Sequence, residues 1–228
     1  MIVSIENNLK EIEERIANAK VGEDVTFVAV TKFRSIDEIK QVIDYGIRDL
    51  GENKVQEFLS KEEAFKETGV RWHFIGHLQR NKVKKIVGKV HLIHSVDSLR
   101  LLEEIDKQSE RKGVVTNILI ELNNNLEDNK YGASEEELVQ IMEKAKNCKN
   151  IKVMGLMCMA PFTDNEEILK KVFINLRKIY EKYGKMYAKY DNIRYNTLSM
   201  GMSNDYTLAI ECGSNTVRIG TSIFKGEK

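Results

Sequence analysis

Apolar residues along this chain switch repeatedly between two spacings, and the switches mark out its elements. Ile5, Leu9, Ile12 and Ile16 recur on one helical face, which predicts a helix over residues 3–19. The next apolar stretch, VTFVAV at 25–30, is continuous, β-branched and aromatic, as in a strand covered on both faces. Ser35 and Glu38 then form a capping box ahead of Ile36, Ile39, Val42 and Ile43, and Gly46 stands where that helix would stop. The alternation continues with a strand at 47–50, a polar helix at about 54–68, a strand at 71–75, a lysine-faced helix at 78–87 and a strand at 90–94. Asp97 is expected to cap a helix carrying Leu99, Leu102 and Ile105, followed by the strand TNILIEL at 116–122. Ser134 with Glu137 reads as a second capping box, and a strand follows at 152–159. Thr163 with Glu166 reads as a third box, ahead of a helix through Tyr183. A strand at 194–198, a short helix capped by Ser203 and a strand at 216–219 complete the pattern.

Eight strands joined by helical patterns imply parallel pairing through right-handed crossovers. Eight units in roughly 200 residues, with no long gap, favour a closed barrel over an open doubly wound sheet. The predicted fold class is therefore α/β: a single-domain (β/α)8 TIM barrel over residues 1–228, with an extra helix before the first strand.

Composition narrows the partners. The chain has 228 residues, 42% hydrophobic and 31% charged, with net charge +1, a balance that argues against nucleic acid or a membrane surface. Arg80, Lys82, Lys84, Lys85 and Lys89 read as a solvated helix face, because no aromatic residues interleave with them. No apolar run approaches the roughly 18 residues of a membrane span, and MIVSIENNLKEIEER does not resemble a secretory signal. Cys148, Cys158 and Cys212 lack metal or redox spacing, which fits a reducing cytoplasm. His73 with His77, and His91 with His94, are poorly placed to share a metal ion. Met154 to Met159 read as core and pocket lining.

In such barrels the chemistry sits at the carboxyl ends of the strands. Those ends offer Lys32; Gly51, Glu52 and Asn53; His73 and Gly76; Met157 to Ala160; Ser199, Met200, Gly201, Met202 and Ser203; and Arg218, Gly220 and Thr221. The last two groups, SMGMS and RIGTS, pair glycine with hydroxyl residues where this barrel usually binds phosphate. The plainer readings are that Ser203 only caps its helix and Gly220 only turns the chain. Asp205 sits awkwardly beside an anion and is expected to cap the helix while pointing away. Lys32 would face this cradle across the mouth. A lysine desolvated near another cation becomes a nucleophilic amine suited to a Schiff base, although lysines at strand ends also simply snorkel to water. An aldehyde carrying a phosphate describes pyridoxal 5′-phosphate. Arg218 could then donate to the pyridine nitrogen, or serve as a surface ion-pair partner. Lys130, in NKYG, could be an accessory contact or a solvent-exposed loop residue.

AVTKF at 29–33, GENKVQE at 51–57, WHFIGHLQRNK at 72–82, GLMCMAP at 155–161, LSMGMSNDY at 198–206 and VRIGTSIFKG at 217–226 together resemble the pyridoxal phosphate homeostasis protein family. The resemblance covers nearly the whole chain. It implies an alanine-racemase-like barrel that binds pyridoxal 5′-phosphate without an established reaction, with Lys32 as the Schiff-base lysine. It further implies Ser199, Gly201, Ser203, Gly220 and Thr221 around the phosphate, Met202 among the cofactor-binding residues, Arg218 near the ring nitrogen, and Asn53, His73 and Gly76 lining the pocket. Lys225 before Gly226 departs from the family pattern, beyond the ligand. The expected role is a cytoplasmic carrier or regulator of the cofactor, acting as a monomer. Its expected partners are the cofactor and, transiently, apo forms of enzymes that use it. The competing expectation is a weak amino-acid racemase or related enzyme with Lys32 as its single base. With eight residues after Gly220, no further domain is expected to supply a second base.

Overall fold

The computed structural model describes residues 4–20, 22, 24–123 and 132–225. Eight parallel strands close on themselves in sequence order, with β1 hydrogen-bonded to both β2 and β8. They are β1 (Thr26–Val30), β2 (Asp49–Glu52), β3 (Arg71–Phe74), β4 (Leu92–Val96), β5 (Thr116–Leu122), β6 (Ile151–Cys158), β7 (Ile193–Met202) and β8 (Thr216–Ile219). The helices are α1 (Ile5–Ala19), α2 (Ile36–Tyr45), α3 (Val55–Ala64), α4 (Val83–Ile86), α5 (Leu99–Lys112), α6 (Glu135–Ala145), α7 (Glu166–Tyr187) and α8 (Tyr206–Glu211). This is the barrel that the alternation predicts, with α1 as the extra element.

Two predicted capping boxes form in full: Ser35 with Glu38 opens α2, and Ser134 with Glu137 opens α6. The third does not. Asn165 caps α7, its Oδ1 accepting the N–H groups of Glu167 and Ile168, while Thr163 Oγ1 accepts from Asn165. Ser98 rather than Asp97 stands before α5, and α7 runs on to Tyr187. The expected helix at 78–87 shrinks to a 3-10 turn, Arg80–Lys82, and the single turn of α4. The strands expected at 47–50 and 90–94 lie two residues later. A two-residue shift keeps every side chain on its original face, so period alone could not separate the registers.

The main core lies between barrel and helices, and a smaller cluster of Leu92, Leu119 and Met157 packs separately from it. α1 buries Leu9, Ile12 and Ile16, and its Asn8 Nδ2 donates to the carbonyls of Ile223 (2.8 Å) and Lys225 (3.2 Å). The extra helix thereby ties down the segment that follows β8.

Candidate functional site

Immediately past β1 the chain makes a tight turn, closed by the Arg34 N–H on the Thr31 carbonyl at 3.1 Å. Lys32 and Phe33 are its central residues, and Phe33 has φ of 62°, in the left-handed region. For a side chain with a Cβ that conformation costs on the order of 1–2 kcal/mol and persists only when its surroundings enforce it. Here they do. Glu57 Oε2 accepts the Phe33 N–H at 3.0 Å, while Lys61 Nζ donates to the Thr31 carbonyl at 2.8 Å and to Glu52 Oε1 at 2.6 Å. Thr31 Oγ1 donates to the same carboxylate oxygen at 2.6 Å. Both side chains of the Lys61–Glu52 pair are buried, at 6% and 0% exposure. The backbone bearing Lys32 is thus clamped from β2 and α3, while Lys32 itself is exposed rather than desolvated. Sequence reasoning missed Glu57 and Lys61; on a helix predicted as polar, nothing marked Lys61 as the residue that turns inward.

Lys32 opens on a cavity of about 340 Å³ at the carboxyl ends of the strands. Asn53, Gly76, Met202, Ser203, Arg218, Gly220 and Thr221 line it too, with Val30, Ile75, Met159, Pro161 and Phe162 supplying apolar wall. Eight of the eleven predicted residues therefore converge. The Oδ1 of Asn53 is buried there with no hydrogen-bond partner, an orphan acceptor facing a ligand-sized space. Gly76 is required by close approach: a Cβ at that position would lie 2.2 Å from the Asn53 carbonyl. A hollow of about 410 Å³ at the opposite end, lined by Val25, Arg177, Cys212 and Asn215, is remote from Lys32.

Across the mouth, Ser203 does not cap a helix. Its Oγ accepts the N–H groups of Gly220 at 3.2 Å and Ser222 at 3.3 Å, knitting the loop after β7 to the loop after β8. With both contacts received, its hydroxyl proton remains available to an acceptor in the cavity. Asp205 precedes α8 without a side-chain cap, and its Oδ1 turns back to accept the Met202 N–H at 2.5 Å. It lines the cavity instead of pointing away. Burial raises its pKa, opposed by the Met202 N–H and by Arg218. Among the described residues, the N–H groups of Asn204 and Thr221 make no hydrogen bond within the chain. Gly201 lies off the cavity. With φ of 97° it lets α8 pack on β7, where a Cβ would come within 2.6 Å of the Ala209 Cβ.

Arg218 is no surface residue. It is buried in the wall, its Nη1 donating to Ser199 Oγ at 2.5 Å and its Nη2 to the Cys158 carbonyl at 2.9 Å. Among the described residues no carboxylate pairs with it, and burial lowers its pKa. Ser199 thus supports the arginine and does not line the cavity. His73 is displaced further: its ring bonds His94 at 2.9 Å and Asp49 at 2.9 Å inside the barrel. Asp49 is also held by the Arg71 guanidinium. Its carboxyl is brought down to about 2, burial being outweighed by the bonds from His73 and Arg71. Glu121, on β5, goes the other way: burial pushes it up to about 7, Asp97 adding to the shift and Arg218 opposing it. Lys130 lies outside the described residues.

The arrangement offers an amine, buried and backbone donors, and a hydroxyl–glycine cradle around one space. That set suits a flat, phosphate-bearing aldehyde with a ring acceptor. The alanine racemase N-terminal domain model matches residues 2–228. A pyridoxal phosphate homeostasis protein of Aquifex aeolicus is 39% identical over 221 residues, covering 96% of this chain and 95% of its relative. The protein of that name from Escherichia coli is 33% identical over 228 residues, covering 96% and 95%. PipY of Synechococcus elongatus, whose structure has been solved with pyridoxal phosphate bound, superposes with a TM-score of 0.87 at 27% identity, over 97% of this chain and 100% of PipY. Alanine racemase of Corynebacterium glutamicum shares the fold, with a TM-score of 0.72 at 13% identity, over 98% of this chain and 61% of the racemase. With a family model spanning it end to end and relatives above 30% identity over nearly their full length, the chain belongs to the pyridoxal phosphate homeostasis proteins of the alanine racemase N-terminal domain family.

Proposed function

We propose that this protein binds pyridoxal 5′-phosphate at the barrel mouth as a Schiff base on Lys32, and that it works in the homeostasis of the cofactor by holding and releasing it. The observation that carries the reading is the convergence of Lys32, Arg218 and the Ser203–Gly220–Thr221 loops on one cavity of about 340 Å³. When bound, the cofactor supplies an aldehyde carbon and a pyridine ring. The protein's part is to orient and retain it. Lys32 Nζ would condense with the aldehyde, releasing water. Ser203 and the N–H groups of Asn204 and Thr221 would meet the phosphate, and Arg218, permanently a donor, would face the ring nitrogen. A ring nitrogen kept unprotonated is a poor electron sink, and an exposed Lys32 gives little water exclusion. Both features support a carrier over an efficient catalyst, as do the relatives' names. The cysteines, free among the described residues, support a cytoplasmic setting, and no helix among those residues is long and apolar enough to cross a membrane.

The test is an absorption spectrum of the protein with the cofactor before and after borohydride reduction, followed by peptide mapping. An imine band near the visible edge and a reduced adduct on Lys32, both lost in Lys32→Ala while the barrel still folds, are expected. An adduct confined to another lysine would refute the assignment. Turnover of single amino-acid enantiomers faster than about one per second, an ordinary enzymatic rate, would refute the carrier role.

A further inference from the structure

Arg218 is held by a chain of neutral groups where an ion pair would be usual. From its Nη1 the contacts run to Ser199 Oγ at 2.5 Å, from Ser199 Oγ to His94 Nδ1 at 3.1 Å, from His94 Nε2 to His73 Nδ1 at 2.9 Å, and from His73 Nε2 to Asp49 Oδ1 at 2.9 Å. β4 and β7 are not neighbours in the closed sheet, so the His94–Ser199 contact crosses the lumen. The chain therefore connects the mouth to the opposite end, where Arg71 grips Asp49.

Proton counting gives it a direction. A guanidinium only donates, so Ser199 Oγ accepts from Arg218. Ser199, His94 and His73 are 0%, 0% and 3% exposed, so their protons must be spent internally. The Ser199 hydroxyl proton has His94 Nδ1 as its acceptor, which leaves the His94 proton on Nε2 to be given to His73 Nδ1. The His73 proton then sits on Nε2, facing Asp49. The reverse order needs a doubly protonated His73 and strands the Ser199 proton. It would also bury a second cation against a carboxylate already engaged through both oxygens by Arg71.

We propose that Ser199, His94 and His73 are positioning residues, forming a one-way hydrogen-bond chain from Arg218 to Asp49 that fixes the arginine with its remaining N–H groups toward the cavity. The proposal rests on the cofactor reading above for what Arg218 meets there, but the chain itself belongs to the unliganded protein. The charged and titratable groups around it are Asp49 and Arg71 at the far end, His91 beside His73, and Glu121, Cys158 and Asp205 around Arg218. Burial, with His73 and Arg218, keeps the His94 pKa well below its usual range, consistent with a neutral ring.

Nitrogen-15 NMR of histidine-labelled protein without cofactor reads the tautomers directly. His73 and His94 should both carry a proton on Nε2, and the His94 signal should not change between about pH 6 and 8, where an ordinary histidine titrates. A proton on His94 Nδ1, or a doubly protonated His73, would overturn the chain's direction. The second measurement is cofactor affinity and the pH profile of the bound absorption band. Ser199→Ala should weaken binding about ten- to a hundredfold, the scale of one hydrogen bond to a charged group, and should move the profile, with Ser199→Thr restoring both. The Lys32 adduct should form in all three proteins. Wild-type affinity and profile in Ser199→Ala would overturn the positioning role. Absence of the Lys32 adduct from the wild type would instead defeat the cofactor reading, leaving the tautomers to decide the chain.

Discussion

The barrel contains two populations of buried charge, and they are treated differently. On the wall behind Lys32 and at the amino-terminal end, the buried charges are matched: Lys61 and Glu52 with each other, Asp49 with the exposed Arg71. At the mouth they are not. Arg218 has no carboxylate partner among the described residues, Glu121 is left to be neutralised by protonation near neutral pH, and Asn53 Oδ1 has no donor. Matched charges hold the backbone in place. Unmatched ones mark where the fold leaves electrostatic work for something that arrives later, which is why perturbed groups gather at binding sites.

That contrast can be broken in order of effect. The largest response is expected from Lys61→Met. It leaves the Glu52 carboxylate buried without a counter-charge, held only by the Thr31 hydroxyl, and removes one of the two donors to the Thr31 carbonyl, costing about 3–5 kcal/mol of stability by urea denaturation. A loss below about 1 kcal/mol, the worth of an exposed pair, would show that the wall is not built on this ion pair. Next comes pH. The Asp49 carboxyl lies below its unfolded value, so its contribution is complete above about pH 4 and disappears as pH falls toward 2, about 2 kcal/mol in all. The Glu121 carboxyl lies above its unfolded value. The folded chain there keeps a proton that the unfolded chain releases, so stability falls by about 3 kcal/mol as pH rises from about 4.5 to about 7. Denaturation midpoints of Glu121→Gln should lose the second slope and keep the first; retention of both slopes would contradict the assignment to the mouth. The smallest effect on stability is that of Thr221→Val, at an exposed position on the cavity rim. It should leave stability unchanged and weaken retention of pyridoxal phosphate by ~1.5–3 kcal/mol, one hydrogen bond to a charged group. Equal affinities by titration would remove Thr221 from the phosphate cradle.

Much of the site was visible in the residue pattern because barrel strands deliver their carboxyl-terminal residues to one face. Lys32, Asn53, Gly76, Met202, Ser203, Arg218, Gly220 and Thr221 could be collected simply by reading strand ends, and they line one cavity. The misplacements have a common cause. His73, Ser199 and Gly201 also sit near strand ends, but His73 and Ser199 bond inside the barrel and Gly201 packs against α8. A one-dimensional pattern cannot say how deep a side chain lies when several strands contribute at different heights. Ser203 was misread for a related reason: a serine before a short helix looks like a cap, whereas its hydroxyl accepts from residues 17 and 19 positions later.

Local information alone set the alternation of strands and helices, two of the capping boxes, and the glycine–hydroxyl loops after β7 and β8, since each depends on neighbours within a few residues. The clamp of Glu57 and Lys61 on the Lys32 turn, and the line of polar contacts through the lumen, depend on partners 9 to 105 positions apart. Only closure of the sheet brings such groups within hydrogen-bonding distance, and burial then makes each partner obligatory, because no water is present to take its place.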